Sequence, residues 1–300
     1  MTTFGQMTDE VARKLAGFTL RQDRQTHLNG AISASATTIT VGSATNISTG
    51  IIQIDDELIY VDSFDRVANT LSIPPYGRGY NGTTPSSHAN GARVIISPSF
   101  PAVDIKAAIN ETILATFPKL YAYGIHTFKY VPAKITYSLP DEVEKVLGLS
   151  YEVIGPSKEW FPIRNYRLDT MANTDAFDSR NSLTLYSGVQ PGRTVQVYYT
   201  SAPHQMEASS DDFASVTGLP ESAKDVIILG AAYRMTGFID PGRLTYSSAE
   251  ADAQANNVTG RSYGAGANAS KYLLALYEKR LEEEANKLNL RNPTRIHFTR

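Results

Sequence analysis

The sequence predicts an α+β protein: a helical bundle carrying β-rich domains, an inserted small all-β module and a second antiparallel sheet. Three observations predict it. Residues Leu219 to Asp240 form an apolar stretch with the punctuation of a helix. Residues Ala31 to Pro98 are short β-branched runs separated by Gly, Asn, Ser and Pro, and residues Thr127 to Ser201 repeat that texture over longer runs.

The apolar stretch organises the reading. Pro220 suits a first helical position, where its missing N–H has no partner to lose, and Glu221 and Asp225 put negative charge where the helix dipole favours it. Asp240-Pro241-Gly242 then stops the helix. Between these marks Val226, Ile227, Ile228, Leu229, Ala231, Ala232, Met235, Phe238 and Ile239 leave almost no polar face, so other elements must surround it. Its length, and the interruptions at Lys224 and Arg234, do not suit a membrane span.

In chain order, residues 1–30 hold an N-terminal helix over 8–22, with Thr8 as N-cap and Val11, Leu15 and Phe18 at helical spacing. Residues 31–98 are the inserted module, whose runs TTITV, GIIQIDDELIYVDSF, NTLSI and ARVII read as strands and whose Asp55-Asp56-Glu57 reads as a solvated hairpin tip. Residues 99–126 return to helix, with Val103, Ala107, Ile109, Ile113, Leu114 and Phe117 on its apolar face and Pro118 and Gly124 marking its end. The antiparallel region at 127–205 alternates as a sheet with one wet face does. Residues 206–290 supply the C-terminal helices: the apolar one, a polar alanine-rich segment at 244–257, and a last helix from Ala269 to Leu290. Leu274, Tyr277, Leu281, Ala285 and Leu288 stripe that last helix, with Glu278, Lys279, Glu282, Glu283 and Lys287 on its solvated face. Residues 291–300 form an extended basic tail beyond Asn292-Pro293.

Composition excludes several classes. Lys and Arg number 28 against 30 Asp and Glu, a net charge of −2, which argues against a protein that grips nucleic acid through a broadly basic surface. No cysteine is present, so disulfides and thiolate metal sites are ruled out. The start, MTTFGQMTDEVARK, lacks a basic segment followed by an apolar run, so no secretory signal is expected. Seventeen tyrosines against one tryptophan suit either interfaces or β packing.

Two motifs resemble chemistry. Gly77, Gly79 and Gly82 spell G-x-G-x-x-G, but TTPSSHANGARVII follows, with no helix to receive a pyrophosphate, so a glycine-rich β turn is expected. Gly260, Ser262 and Gly264 spell G-x-S-x-G, but AQANNV precedes them where a nucleophile elbow needs a core strand; a triad would also have to draw His297 from the tail. The five histidines show no metal-ligand spacing, and Asp55, Asp56 and Glu57 lack a calcium loop. The expectation is no enzyme, no catalytic residue, no cofactor and no metal.

The stretch Ser35 to Pro98, carried by ATTITVGSATNISTG, IIQIDDELIYVDS and RGYNGTTPSSHANGARV, resembles a module of structural proteins of tailed bacteriophages. LPDEVEKVLGLSYEV, EWFPIRNYRL, PGRTVQVYYTSAP and GLPESAKDVIILGAAYRM, followed by a long charged helix, resemble the head-to-tail joining (adaptor or connector) proteins of such phages over roughly residues 100–300. The resemblance implies a helical bundle with an inserted β domain and a homo-oligomeric ring, of about twelve copies, beneath the capsid portal. It implies as partners the portal protein, a downstream tail or neck protein, and double-stranded DNA that passes without sequence-specific binding; no membrane is involved. The location it implies is the virion neck, with assembly in the host cytoplasm. The portal-docking residues would lie in the tail: Arg291, Arg295, Ile296, His297, Phe298 and Arg300. The alternative is a receptor-binding or tail-tip protein using the 31–98 module, against which stand the helical C-terminal end and the single tryptophan, Trp160.

Overall fold

The computed structural model describes residues 1–17, 23–153, 159–186, 189–237 and 265–292. Among these, fourteen strands form four antiparallel sheets beside five α-helices. The helical bundle with β insertions is therefore overturned: the architecture is mainly antiparallel β. The physical reason lies in the cores. Strand and strand-flanking residues close two apolar cores of their own, so the β regions are not appendages of a helical one. Long apolar helices announce themselves in a sequence, whereas strands of three to five residues gain their weight only through distant pairing.

The chain divides into two compact units, one of residues 4–111 and 227–277, the other of residues 1–3, 112–226 and 278–300. The first unit opens with α1 (Phe4–Ala16), which buries Met7, Val11 and Leu15. The expected N-cap at Thr8 is corrected: Thr8 lies inside the helix, where its hydroxyl donates to the Phe4 carbonyl at 2.9 Å. Seven strands follow: β1 (Arg24–His27), β2 (Thr38–Thr40), β3 (Gly50–Ile54), β4 (Glu57–Val61), β5 (Ser63–Asp65), β6 (Thr70–Ser72) and β7 (Arg93–Ile96). They make a four-stranded sheet in the order β1-β7-β3-β4 and a three-stranded sheet in the order β2-β6-β5. Between them lie Leu28, Ile39, Val41, Ile52, Ile59 and Leu71, all essentially without solvent exposure. Each such side chain contributes roughly 1.5–3 kcal/mol of transfer free energy. The module thus begins at Arg24, inside the segment assigned to the N-terminal helix, because β1 pairs with β7 residue for residue from Arg24↔Ile96 to His27↔Arg93.

Helix α2 (Ala102–Ala115) is shorter than the helix expected over 99–126. Gly124 does not end a helix. It lies in β8 (Ala122–Lys129), opposite Tyr199, whose ring fills the place a side chain at Gly124 would need. The second unit continues with β9 (Thr136–Ser138), β10 (Lys145–Glu152), β11 (Trp160–Ile163), β12 (Tyr166–Asp169), β13 (Ser182–Leu185) and β14 (Thr194–Ser201). Its sheets run β11-β10-β14-β8 and β12-β13-β9, and they enclose Leu149, Ile163, Leu183, Val195 and Val197. Buried Asn181 joins this core to a neighbouring turn, its amide donating to the carbonyls of Pro140, Asp141 and Val143 at 3.0–3.1 Å.

Helix α3 (Phe213–Thr217) is capped by Asp212, which accepts from the Ser215 amide, and ends at Gly218 with φ 72°. The apolar stretch becomes a 3-10 turn at Glu221–Ala223 followed by α4 (Lys224–Thr236), with Val226, Ile227, Ile228, Ala231 and Ala232 fully buried. Its expected end at Asp240-Pro241-Gly242 and the segment at 244–257 lie outside the described residues. Helix α5 (Ala265–Arg291) begins earlier than expected. Tyr277, Leu281, Ala285 and Leu288 are buried as the stripe requires, with Leu273 in place of Leu274.

Candidate functional site

The G-x-G-x-x-G segment resolves into a polar knot inside the first unit. Glu57 is not part of a solvated tip: it opens β4 and is buried, while Asp55 and Asp56 remain exposed in the turn. Arg78 donates to both Glu57 oxygens at 2.7 and 2.8 Å, and to the carbonyls of Ser33, Ala36 and Ser86. The amides of Gly79 and Ser86 add bonds to the same carboxylate at 3.0 Å. His88 bridges Glu57 at 2.9 Å and Asp55 at 2.8 Å. Burial alone would raise the Glu57 pKa; the bonds from Arg78, Ser86, His88 and Gly79 outweigh it and hold the group at about 2. The glycines serve this geometry. Gly79 has φ 61°, and a Cβ on Gly77 would meet the Tyr60 carbonyl oxygen at 2.6 Å. The motif is a carboxylate cradle made by the chain for itself, with the Arg78 guanidinium and the Gly79 amide spent on Glu57 and on backbone carbonyls.

The second motif, Gly260, Ser262 and Gly264, lies outside the described residues. Among the described residues no group of three or more His, Asp or Glu side chains is placed to hold a metal ion. No described helix is long and apolar enough to cross a membrane.

Of the expected docking residues, Arg291 is the last residue of α5 and stands exposed. Arg295, Ile296, His297, Phe298 and Arg300 lie outside the described residues. The helix that leads to them is fixed by charge. Arg280 bonds Asp225 at 2.8 Å, Glu284 at 3.0 Å, and Glu283. Glu284, nearly inaccessible to solvent, also accepts from Ser222 at 2.7 Å and Lys287 at 2.6 Å. Burial would raise the Glu284 pKa, but the bonds from Lys287 and Ser222 and the charges of Lys287 and Arg280 together lower it. Two of the charges expected on a solvated face, Glu283 and Lys287, thus belong to a network that ties α5 to the start of α4.

Arg291 and Asn292 also line a groove of about 400 Å³ over the outer face of the sheet β11-β10-β14-β8. Tyr123 of β8 and Tyr198 of β14 stack there, ring centres 6.2 Å apart and 17° from parallel, with Trp160 and Pro162 of β11 on the same face. The sequence reading missed this surface. Its signal was present: β8 alternates, exposing Tyr123, Ile125, Thr127 and Lys129, and adjacent Tyr198 and Tyr199 of β14 point to opposite faces. A second hollow, of about 310 Å³, lies beside α1 in the first unit, and several of its polar groups are already engaged. Arg93 pairs with Asp9 at 2.9 Å, Asp23 accepts from Ser99, and Gln53 bonds backbone at Asp55 and Ala102.

No family model matches the sequence, and comparison with the curated proteins gives no match either.

Proposed function

We propose that this chain is a structural joining protein of a phage neck, forming a ring beneath the capsid portal and linking head to tail around passing double-stranded DNA. The reading rests on the local sequence resemblance, and not on the bundle architecture, which the four sheets replace. The observation that supports it most is the way α5 is held. The Arg280–Asp225 and Glu284–Ser222 bonds hold the C-terminal part of α5, and with it Arg291, the residue from which a basic, Phe298-bearing tail departs. A rigid support with an aromatic and basic end suits docking on another protein. Exposed Val131, Ile135 and Met171 offer apolar surface to neighbouring copies, and a head-to-tail contact repeated about an axis closes into a ring.

Deleting residues 293–300 tests the docking role. The truncated chain is expected to unfold in urea at the same midpoint as the full chain and to lose binding to the portal ring from the same genome. Unchanged affinity would remove the tail from the account.

A further inference from the structure

The groove over the β11-β10-β14-β8 face carries an inference that does not depend on the joining role. Its floor is aromatic: Tyr123 is 45% exposed, Trp160 36%, and Tyr198 stacks beside Tyr123. Among the described residues its only charged lining groups are Arg164 and Arg291. Both are exposed, and neither has an ion-pair or hydrogen-bond partner for its guanidinium among the described residues. Among the described residues no carboxylate lines the groove; Glu152, opposite Trp160 in the β10–β11 register, lies outside it.

The chemistry of the lining narrows the ligand. Sugars need side-chain carboxylates or amides for their hydroxyls, and here Asn292 is bonded to Tyr121, while Ser150 donates to Tyr198, which donates in turn to Gln196. An extended peptide docking as an added strand would lie along the outer edge of β11 or β8, whereas the floor of the groove is made by β10 and β14, each paired on both sides. Exposed aromatic rings beside unpaired guanidiniums suit planar rings joined by anions. The volume lies in the range of sites that hold one small ligand unit. We infer that this groove binds a short single strand of nucleic acid, its bases stacking on Tyr123, Tyr198 and Trp160 and its phosphates meeting Arg164 and Arg291. The near-neutral charge of the whole chain is no obstacle, because the cations needed are local.

Trp160 is the sole tryptophan, so its fluorescence reports on this site alone. Titrating the full chain with a short oligodeoxythymidylate at low salt should quench Trp160 saturably. With two phosphate contacts, the midpoint should rise about 25-fold between about 20 and about 200 mM salt. Arg164→Glu and Tyr198→Ala should each raise the midpoint about 10-fold or more, with urea unfolding confirming that both variants fold. A hairpin duplex of the same length should quench far less. Absence of quenching would overturn the inference. So would equal quenching by the duplex, or by an oligogalacturonate, which would make the groove a general anion or acidic-sugar site. Binding indifferent to Arg164→Glu and Tyr198→Ala would overturn it too.

Discussion

The two β regions solve one problem in opposite ways. Each closes an apolar core between antiparallel sheets, of similar size in the two cases. The module of β1–β7 puts charge inside, spending Arg78, His88 and two backbone amides on the single carboxylate of Glu57. The fully buried polar residues of the β8–β14 region are uncharged, with Asn181 as its clip, and aromatic rings turn outward. A buried knot of this kind ties the turns at Ser33, Gly79 and Ser86 to one arrangement, since a carboxylate without those donors would be stranded. A core without charge leaves its sheet faces free to carry surface chemistry. The first region is built to hold its own shape, the second to present a face.

The largest expected effect tests the knot. Arg78→Ala should cost about 3–5 kcal/mol in urea unfolding, because it leaves Glu57 buried and unpaired. A cost below about 1 kcal/mol would mean the knot contributes little.

The two regions should also fail at opposite ends of the pH scale. Glu57 has its pKa lowered from 4.5 to about 2, so the stability it contributes is present above pH 4.5 and lost as pH falls from there towards 2. Tyr199 is buried and hydrogen-bonded to Glu142, which raise its pKa from 10.0 to about 12; its contribution is present below pH 10 and lost as pH rises towards 12. Each effect is of order ~3 kcal/mol. Far-ultraviolet dichroism across pH, with Glu57→Gln and Tyr199→Phe as comparators, separates them. An acid transition that Glu57→Gln does not alter, or an alkaline one that Tyr199→Phe does not alter, would break the contrast.

Smaller effects come from glycines. Gly79→Ala forces a side chain into φ 61° and against the Thr83 carbonyl oxygen at 2.6 Å, and should cost about 1–3 kcal/mol. Gly148→Ala, in β10 with nothing within 4 Å of its Cβ, should leave the melting temperature unchanged or stabilise by about 0.5 kcal/mol. Equal costs at the two positions would show that backbone geometry does not distinguish the regions.

Much of the β texture was legible in the sequence, because β-branched runs between turn residues mark strands directly: TTITV became β2, NTLSI became β6 and ARVII became β7. The apolar helix was legible for the same local reason. What could not be read was pairing. That Arg24–His27 adds a strand to the module depends on β7, nearly seventy residues away. The burial of Glu57 depends on Arg78 and His88 arriving from a distant loop, and its neighbours Asp55 and Asp56 are exposed as a hairpin tip should be. The aromatic groove depends on the register of four strands, so Tyr123 and Tyr198 meet only once β8 and β14 are aligned. Local signals name elements; the site is a product of register.

The joining role is tested most directly by mixing the purified full chain with the portal ring from the same genome and imaging the mixture by electron microscopy. The account predicts a ring of this protein stacked coaxially on the portal, with density for the residues after Asn292 against the portal surface. Portal rings left bare beside free protein, at concentrations well above those of assembly, would contradict it.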